Sequence, residues 1–234
     1  MTGKLFPTGN RSDIITVKER SGTRFSVQAT LIDAANPFVV VDETSLPPYL
    51  KTASKDTTGY LEHMESIRRA GAVMMGLASS TDAAAKVRGT PKLAIVSAPK
   101  PENANDPHVA SIHALAFSMG KPHPSLQLTG AACLASAVCI DGTVAFRAAS
   151  NGAMWDPATP ERTPSPVSEH SESSSAFALM PDRKTVRISH SSGAIEVDVA
   201  ATSSESFAVV ERCVVSRTAR RLFEGKVYYY QNEV

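Results

Sequence analysis

The stretch LQLTGAACLASAVCI, residues 126–140, constrains the fold more than any other part of the chain because it contains no charged residue. Its apolar residues are mostly small, and they occupy every side of the helix that they would form. A helix that is apolar on every side is buried on every side. We therefore expect these residues to form a central helix that a sheet encloses.

The turn GKPHPS, residues 120–125, leads into this helix. Pro122 and Pro124 fit the approach and the first turn of a helix, where a missing N–H costs little. The free N–H groups and the positive dipole end of a helix attract carboxylates or phosphates. Lys121 and His123 would add a charge and a titratable donor. Two interpretations remain open: an anion-binding helix end, or the start of a buried helix that binds nothing.

Apolar and polar residues alternate over many short segments, which predicts more strands than helices. Short turns predict two β-hairpins, one from residues 14–19 and 24–33 and one from residues 186–190 and 194–199. Further strands are predicted at residues 38–41, 93–97, 110–117, 207–215 and 225–230. Because strand and helix do not alternate regularly, the predicted fold class is α+β, with a curved, mostly antiparallel β-sheet wrapped around a central buried helix.

A second helix is predicted to begin at Thr57 or Thr58, either of which can supply the capping oxygen. Apolar residues recur at three- and four-residue steps from Leu61 to Ala78, which is typical of a helix with one buried face. The charged residues of this segment lie off that face and are expected to be solvated; they are Glu62, Glu65, Arg68 and Arg69.

The overall charge limits the classes of partner. The chain has 24 Lys and Arg against 23 Asp and Glu, a net charge of +1, which predicts neither a nucleic-acid nor a membrane partner. No apolar run approaches the roughly 20 residues of a membrane-spanning helix. The first residues lack the pattern of a signal peptide, so a cytoplasmic location is expected.

Cysteine spacing argues against a disulfide framework and against a metal site. The three cysteines, Cys133, Cys139 and Cys213, form no CxxC pair, and their number is odd. We expect them to be small apolar side chains in a reducing compartment, and we expect no bound metal.

Six separated segments occur in one order along the chain. They are LFPTGN (5–10), ATLIDAANPFVVVD (29–42), ESIRRAGAVMMGL (65–77), PKLAIVSAP (91–99), SMGKPHPSLQLTGAA (118–132) and SRTARRLFEG (216–225). Together they resemble the PrpF-like family. The resemblance implies a diaminopimelate epimerase-like fold, in which the active site lies between two similar domains. It also implies an isomerase or tautomerase that needs no cofactor and moves a proton next to a carboxylate in small di- or tricarboxylates such as methylaconitate.

The resemblance is to the C-terminal half of the family only. The Lys and Cys that the family uses for proton transfer have no counterpart here, so the catalytic residues are unassigned. We expect an isomerase homologue that is incomplete as a single chain and requires a homodimer or the missing N-terminal half. The alternative is a truncated, non-catalytic domain that binds a small carboxylate or acts as an interaction module.

This resemblance also divides the chain. Residues 1–11 are expected to be a remnant of an interdomain linker, and residues 12–212 to form the PrpF-like C-terminal domain. Within that domain, residues 150–175 are predicted to form a mobile loop because they are rich in Pro and Ser. Residues 213–234 are expected to form the C-terminal strands that pack on the first domain in the family.

The family motifs carry over to this chain as a substrate-binding half-site. The residues assigned to it are Asn36, Ser118, Met119, Gly120, Lys121, His123, Thr129, Gly130 and Arg217. For Arg217, pairing with an acidic surface residue is the other interpretation. Gln127 stands where the related epimerases have a cysteine, and a glutamine side chain cannot transfer a proton. The resemblance favours the anion-binding interpretation of the helix start.

Overall fold

The computed structural model of the protein describes residues 2–18, 22–99, 109–151, 182–204, 207–216 and 225. Strands β1 (Asp13–Lys18) and β2 (Arg24–Asp33) form the first predicted hairpin, in which Asp13 lies opposite Ala29. Every second residue of β1 is buried, as the two-residue period of a strand requires when one face is covered.

The other predicted strands within the described residues are also present. The remaining elements are β3 (Pro37–Asp42), α1 (Pro48–Thr52), α2 (Thr58–Met74), α3 (Thr81–Lys86), β4 (Lys92–Ser97), β5 (Ile112–Ser118), β6 (Lys121–Pro122), α4 (Leu128–Val138), α5 (Val144–Asn151), β7 (Asp182–His190), β8 (Gly193–Ser203) and β9 (Ala208–Val215). Strands β7 and β8 form the second predicted hairpin. The strand predicted at residues 225–230 lies outside the described residues, apart from residue 225.

The described strands form one sheet in the order β1-β2-β3-β4-β5-β7-β8-β9, with β6 paired to β5. Most pairs are antiparallel, which confirms the predicted α+β class, but β3 pairs with β4 and β5 with β7 in parallel. Each parallel pair needs a long crossover. Helices α1 to α3 make the first crossover, and α4 and α5 make the second. Two strand–helix–strand connections are therefore present, but they do not make the sheet a parallel, doubly wound one.

Helix α4 is the central buried helix that the composition predicts. It contacts β2 and β3 on one side and β7, β8 and β9 on the other, although these strands lie far apart in the sheet order. The sheet therefore curves around α4. The side chains of Ala131, Leu134 and Ala135 are fully buried, and their small average size lets the strands approach the helix.

Helix α2 covers the opposite face of the same sheet. In β3, Phe38 and Val40 pack with α4, whereas Val39 and Val41 pack with α2. Because both faces are buried, this strand is apolar without alternation. The contact is close at Gly71 of α2, where a Cβ atom would lie 2.5 Å from Cγ2 of Val39.

One prediction about α2 is wrong for two residues: Arg68 is only 4% exposed, and the side chain of its partner Glu65 is only 11% exposed. Its guanidinium group donates to Glu65 at 2.7 and 2.8 Å and to the carbonyl oxygens of Ala84, Val87 and Thr90 at 2.9 to 3.3 Å. The pairing with Glu65 and the carbonyl acceptors offset the cost of burying the charge. The helix also ends at Met74, so Ala78 lies beyond it.

The first residues of the chain lie against the body of the fold. The side chains of Leu5 and Phe6 pack against the α4 core, and the carbonyl oxygen of Leu5 accepts a hydrogen bond from the Asp33 N–H at 2.8 Å. The predicted mobile loop and the predicted C-terminal strands fall mostly on residues 152–181, 217–224 and 226–234, which lie outside the described residues. None of the described helices is both long enough and apolar enough to cross a bilayer.

Candidate functional site

The sheet register brings several of the predicted site residues to one edge. Asn36 immediately precedes β3, whose residue Phe38 lies opposite Lys92, the first residue of β4. The next residue of β4 pairs with Phe117, so Ser118 at the end of β5 lies at the same level. The turn that contains Asn36, the start of β4 and the end of β5 therefore share this sheet edge.

Helix α4 begins at the same edge. A Cβ atom on Gly130 would lie 3.0 Å from Cζ of Phe38 and 3.3 Å from Cδ1 of Leu126, so the glycine allows the helix start to pack closely on the sheet. One turn later, the Cys133 thiol donates to the carbonyl oxygen of Asn36 at 3.4 Å. Gly130 and Asn36 are thus brought together by packing as well as by sheet register.

A two-residue turn, Met119 and Gly120, connects β5 to β6. Ser118 and Lys121 face each other across it, and the φ angles of Met119 and Gly120 are 54° and 77°. This turn type matches the twist of the strands it joins and favours glycine. The left-handed conformation costs a residue such as Met119 about 1–2 kcal/mol, so the surrounding structure must stabilise it.

Near this turn, His123 forms hydrogen bonds within the protein, whereas Thr129 is exposed to solvent. The backbone N–H of His123 donates to the Ala116 carbonyl at 2.8 Å, and its Nδ1 atom lies 3.2 Å from the N–H of Ser125. The imidazole is therefore engaged within its own loop. Thr129 and Lys121 are exposed, and so both can reach a ligand in the solvent. Pro122 lies in β6, several residues before the helix begins, rather than in its first turn.

The N-terminus of α4 is not capped by the side chain of its N-cap residue, Gln127. Oε1 of Gln127 instead accepts a hydrogen bond from the Lys92 ammonium group. The first intrahelical acceptor is the Gln127 carbonyl, which binds the N–H of Ala131, so the N–H groups of Leu128, Thr129 and Gly130 have no acceptor within the helix. Burial lowers the pKa of Lys92 from its usual 10.5.

Lys92 and Arg88 were missed in the sequence analysis. Lys92 contacts a residue 35 positions away, and Nη2 of Arg88 donates to the Met119 carbonyl, 31 positions away, at 3.0 Å. Neither residue has a distinctive spacing or motif. For Lys92, one sequence feature could have indicated a role: it is a cation at the start of a strand that leads from the predicted site.

Among the described residues, two large clefts lie near this sheet edge. One, of about 530 Å³, lies beside the Met119–Gly120 turn, and its lining includes Arg69, Arg88 and Gly120. The other, of about 540 Å³, lies between residues 33–35, Ala132 of α4 and strand β9. Each has room for a small organic acid.

The cysteines do not supply a reactive thiol at the helix start. Cys133 is fully buried, and this burial raises the pKa of its thiol to about 12. Cys139 and Cys213 are half-buried, and the Cys213 sulfur lies 3.4 Å from Oγ of Ser136. Across the described ranges, no three His, Cys, Asp or Glu side chains are grouped so that they could hold a metal ion.

Arg217, the last of the predicted site residues, lies outside the described residues. The structure therefore brings together Asn36, the turn from Ser118 to Lys121 and the start of α4 at Thr129 and Gly130, with His123 in the connecting loop.

Comparison with known proteins shows relatives of about twice this length. The chain is 30% identical to the 2-methyl-aconitate isomerase of Shewanella oneidensis over 96% of this chain and 50% of that protein. It is 28% identical to the 3-methylitaconate isomerase of Eubacterium barkeri over 97% of this chain and 53% of that protein. The chain thus spans about half the length of these relatives.

The fold is similar to that of a solved methylitaconate-delta-isomerase. The TM-score is 0.59 and the sequence identity 20%, over 92% of this chain and 50% of the other. The expectation that the resemblance is limited to the C-terminal half of the family is not borne out, since the matches run through almost the whole of this chain. Residues 1–156 and 174–230 match the PrpF protein family, and the chain therefore belongs to that family.

Proposed function

We propose that this chain supplies the carboxylate-binding side of an isomerase site that acts on a small tricarboxylate such as methylaconitate. The observation that carries the proposal is the meeting of three segments at one sheet edge: the Asn36 turn, the Met119–Gly120 turn and the uncapped start of α4. Membership of a family whose named members isomerise methylaconitate and methylitaconate supports the reaction class.

The proposed reaction moves a double bond by removing a proton from a carbon next to a carboxylate and returning a proton elsewhere. Negative charge then spreads over that carboxylate in a dienolate-like intermediate. Donors that are already in place stabilise such charge best, because they need no reorganisation during the reaction. The N–H groups of Leu128 to Gly130 and the Lys92 ammonium group are such donors at this edge, and the exposed Lys121 adds a positive charge.

Under this proposal, a single copy of the chain is incomplete as a catalyst. Gln127 at the helix start has no transferable proton, and the Cys133 thiol is buried with a pKa raised to about 12. Proton transfer near neutral pH requires a group whose pKa lies closer to 7. The half-length coverage of the relatives supports a further polypeptide, or a second copy of this chain, as the source of that group.

A second candidate function is carboxylate binding without turnover. The buried state of Cys133 and the glutamine at position 127 favour it, because neither residue can serve as the acid or base at the helix start. The two candidates differ in turnover and share the anion-binding edge.

Turnover is tested by proton NMR in deuterated water with methylaconitate, methylitaconate and aconitate as separate substrates. We expect no new isomer and no deuterium incorporation from the purified chain alone. Isomer formed by the chain alone would contradict its incompleteness. Addition of the other half of a longer relative should produce isomer if the first candidate is correct, and should not if the second is.

Binding is tested by the shift in unfolding temperature that aconitate produces. We expect the shift to be smaller in Lys121→Ala than in the parent protein. Lys18→Ala provides the control, because Lys18 is exposed and pairs with Arg24, at the far end of β2 from Asp33, whose partner Pro37 adjoins the Asn36 turn. Equal shifts in all three proteins would contradict the proposed anion site.

A further inference from the structure

Arg88 connects the candidate site to the rest of the fold. Its Nη2 atom donates to the carbonyl oxygen of Met119 at 3.0 Å. Met119 has a φ of 54°, a conformation that residues other than glycine rarely adopt. A hydrogen bond to this carbonyl stabilises the unusual conformation and orients the turn.

Gly120 makes this contact possible. A Cβ atom at this position would overlap the guanidinium group of Arg88, so a side chain other than hydrogen would displace it. The φ of Gly120 is 77°, so the backbone also requires glycine. The turn therefore requires glycine at position 120 for two independent reasons: the backbone conformation and the space that Arg88 occupies.

The loop that carries Arg88 is itself held from both sides. The buried Arg68 donates to the carbonyl oxygen of Val87, immediately before Arg88, at 3.2 Å, and to that of Thr90, two residues after it, at 3.3 Å. Glu65 fixes Arg68 through two hydrogen bonds of 2.7 and 2.8 Å. Helix α2 is thus connected through Arg68 and Arg88 to the Met119–Gly120 turn.

We propose that Arg88 is a positioning residue that holds the Met119–Gly120 turn in the conformation in which this edge binds a carboxylate ligand. The inference rests on the proposed function for the role of the turn, and it adds a residue to which neither the family resemblance nor any motif assigns a role. Arg88 acts through the Met119 carbonyl, and its exposed position means that the fold itself does not depend on it.

The test uses the full chain with 13C-labelled methionine methyl groups and three variants. Arg88→Ala removes the donor, and Arg88→Lys retains one. Arg187→Ala is the matched control, because Arg187 forms a partly exposed pair with Glu196 at 2.9 Å and lies beside Ser111, at the opposite end of β5 from the turn. The methyl signal of Met119 is assigned through its loss in Met119→Leu, and the signal of the buried Met64 reports whether the fold is intact.

We expect the Met119 signal to move in Arg88→Ala, to recover in part in Arg88→Lys and to stay in place in Arg187→Ala, while the Met64 signal stays in place throughout. The dissociation constant for aconitate should rise in Arg88→Ala by on the order of fivefold, the usual effect of one hydrogen bond. Recovery in Arg88→Lys should be partial, because an ammonium group can donate to the same carbonyl but lacks the planar geometry.

An unchanged Met119 signal in Arg88→Ala would overturn the inference, and so would a moved signal with unchanged aconitate affinity. If the parent protein binds no aconitate, the proposed function fails. In that case, a moved Met119 signal still upholds the control of the turn by Arg88, so the two failures are distinguishable.

Discussion

The ammonium group of Lys92 donates a hydrogen bond to the side-chain carbonyl of Gln127, which joins the first residue of β4 to the N-cap of α4. A cation at this position faces the positive end of the helix dipole, which is unfavourable unless an anion lies nearby. Burial adds to this cost and lowers the pKa of Lys92. The arrangement is therefore suited to a bound carboxylate.

Lys92→Met should weaken aconitate binding and remove one contribution to the alkaline pH dependence of stability. The folded-state pKa of Lys92 lies below its usual 10.5. Between these two values the unfolded chain binds more protons, so stability rises with pH there in the parent protein. Denaturant unfolding from pH 8 to 11 should show a flatter profile in Lys92→Met. Lys18→Met is the control for binding and should retain the affinity.

Arg68→Met should destabilise the fold strongly. The side chains of Arg68 and Glu65 are 5% and 11% exposed, and the loss of one partner of such a buried pair costs about 3–5 kcal/mol. Three carbonyl groups, one in α3 and two in the loop after it, would also lose a donor. Arg69→Ala breaks a more exposed pair with the same carboxylate and should cost about 1 kcal/mol or less. Urea unfolding of both variants measures the difference, and equal costs would contradict the structural role of Arg68.

Glu65 should contribute to acid sensitivity. Burial raises the pKa of Glu65, but the hydrogen bonds and charges of Arg68 and Arg69 outweigh it and hold this pKa below its usual 4.5. The contribution to stability is therefore fully present above pH 4.5 and declines as the pH falls through the lower folded-state pKa. Glu65→Gln should be less stable at pH 7, and its stability should fall less between pH 5 and 3. The free energy of unfolding, measured across this range, checks the prediction.

Gly71→Ala should destabilise the contact between α2 and the sheet. The new methyl group would lie 2.5 Å from Cγ2 of the fully buried Val39, and overpacking of this kind costs about 1–3 kcal/mol. Gly59 lies in the same helix with no atom within 4 Å of such a methyl group. Gly59→Ala should therefore stabilise the protein by at most about 0.5 kcal/mol, because helix propensity contributes less in the first turn than in the helix interior. Thermal unfolding should show opposite signs for the two variants.

Cys133 should react with iodoacetamide far more slowly than the other two cysteines at pH 8. Its thiol is buried, and its pKa is raised to about 12, whereas Cys139 and Cys213 are half-buried. Only the thiolate reacts, so both burial and pKa slow the reaction. Mass spectrometry of peptides over time gives the order of labelling. If Cys133 were labelled first, it would have to be considered again as a proton-transfer group.

Local features of the sequence were enough to predict the central helix and the two hairpins. The uncharged stretch from residue 126 to residue 140 predicted a helix buried on every side, and Ala131 and Leu134 are fully buried in α4. The hairpins of β1 with β2 and of β7 with β8 followed from alternation and short turns. The segments at the candidate site could be predicted because they also resemble family motifs.

The tertiary structure decided which of these segments meet and which charges are buried. Arg68 is charged and lies off the apolar stripe, yet Glu65 and the carbonyls of α3 and of the loop after it provide enough partners to bury it. Likewise, the contacts from Lys92 to Gln127 and from Arg88 to Met119 span 35 and 31 residues. The periodicity of the sequence predicts which side of an element is apolar, because burial of that side requires apolar residues at every turn. Periodicity does not predict single polar contacts of this kind, since each contact depends on how the sheet curves and where its strands end.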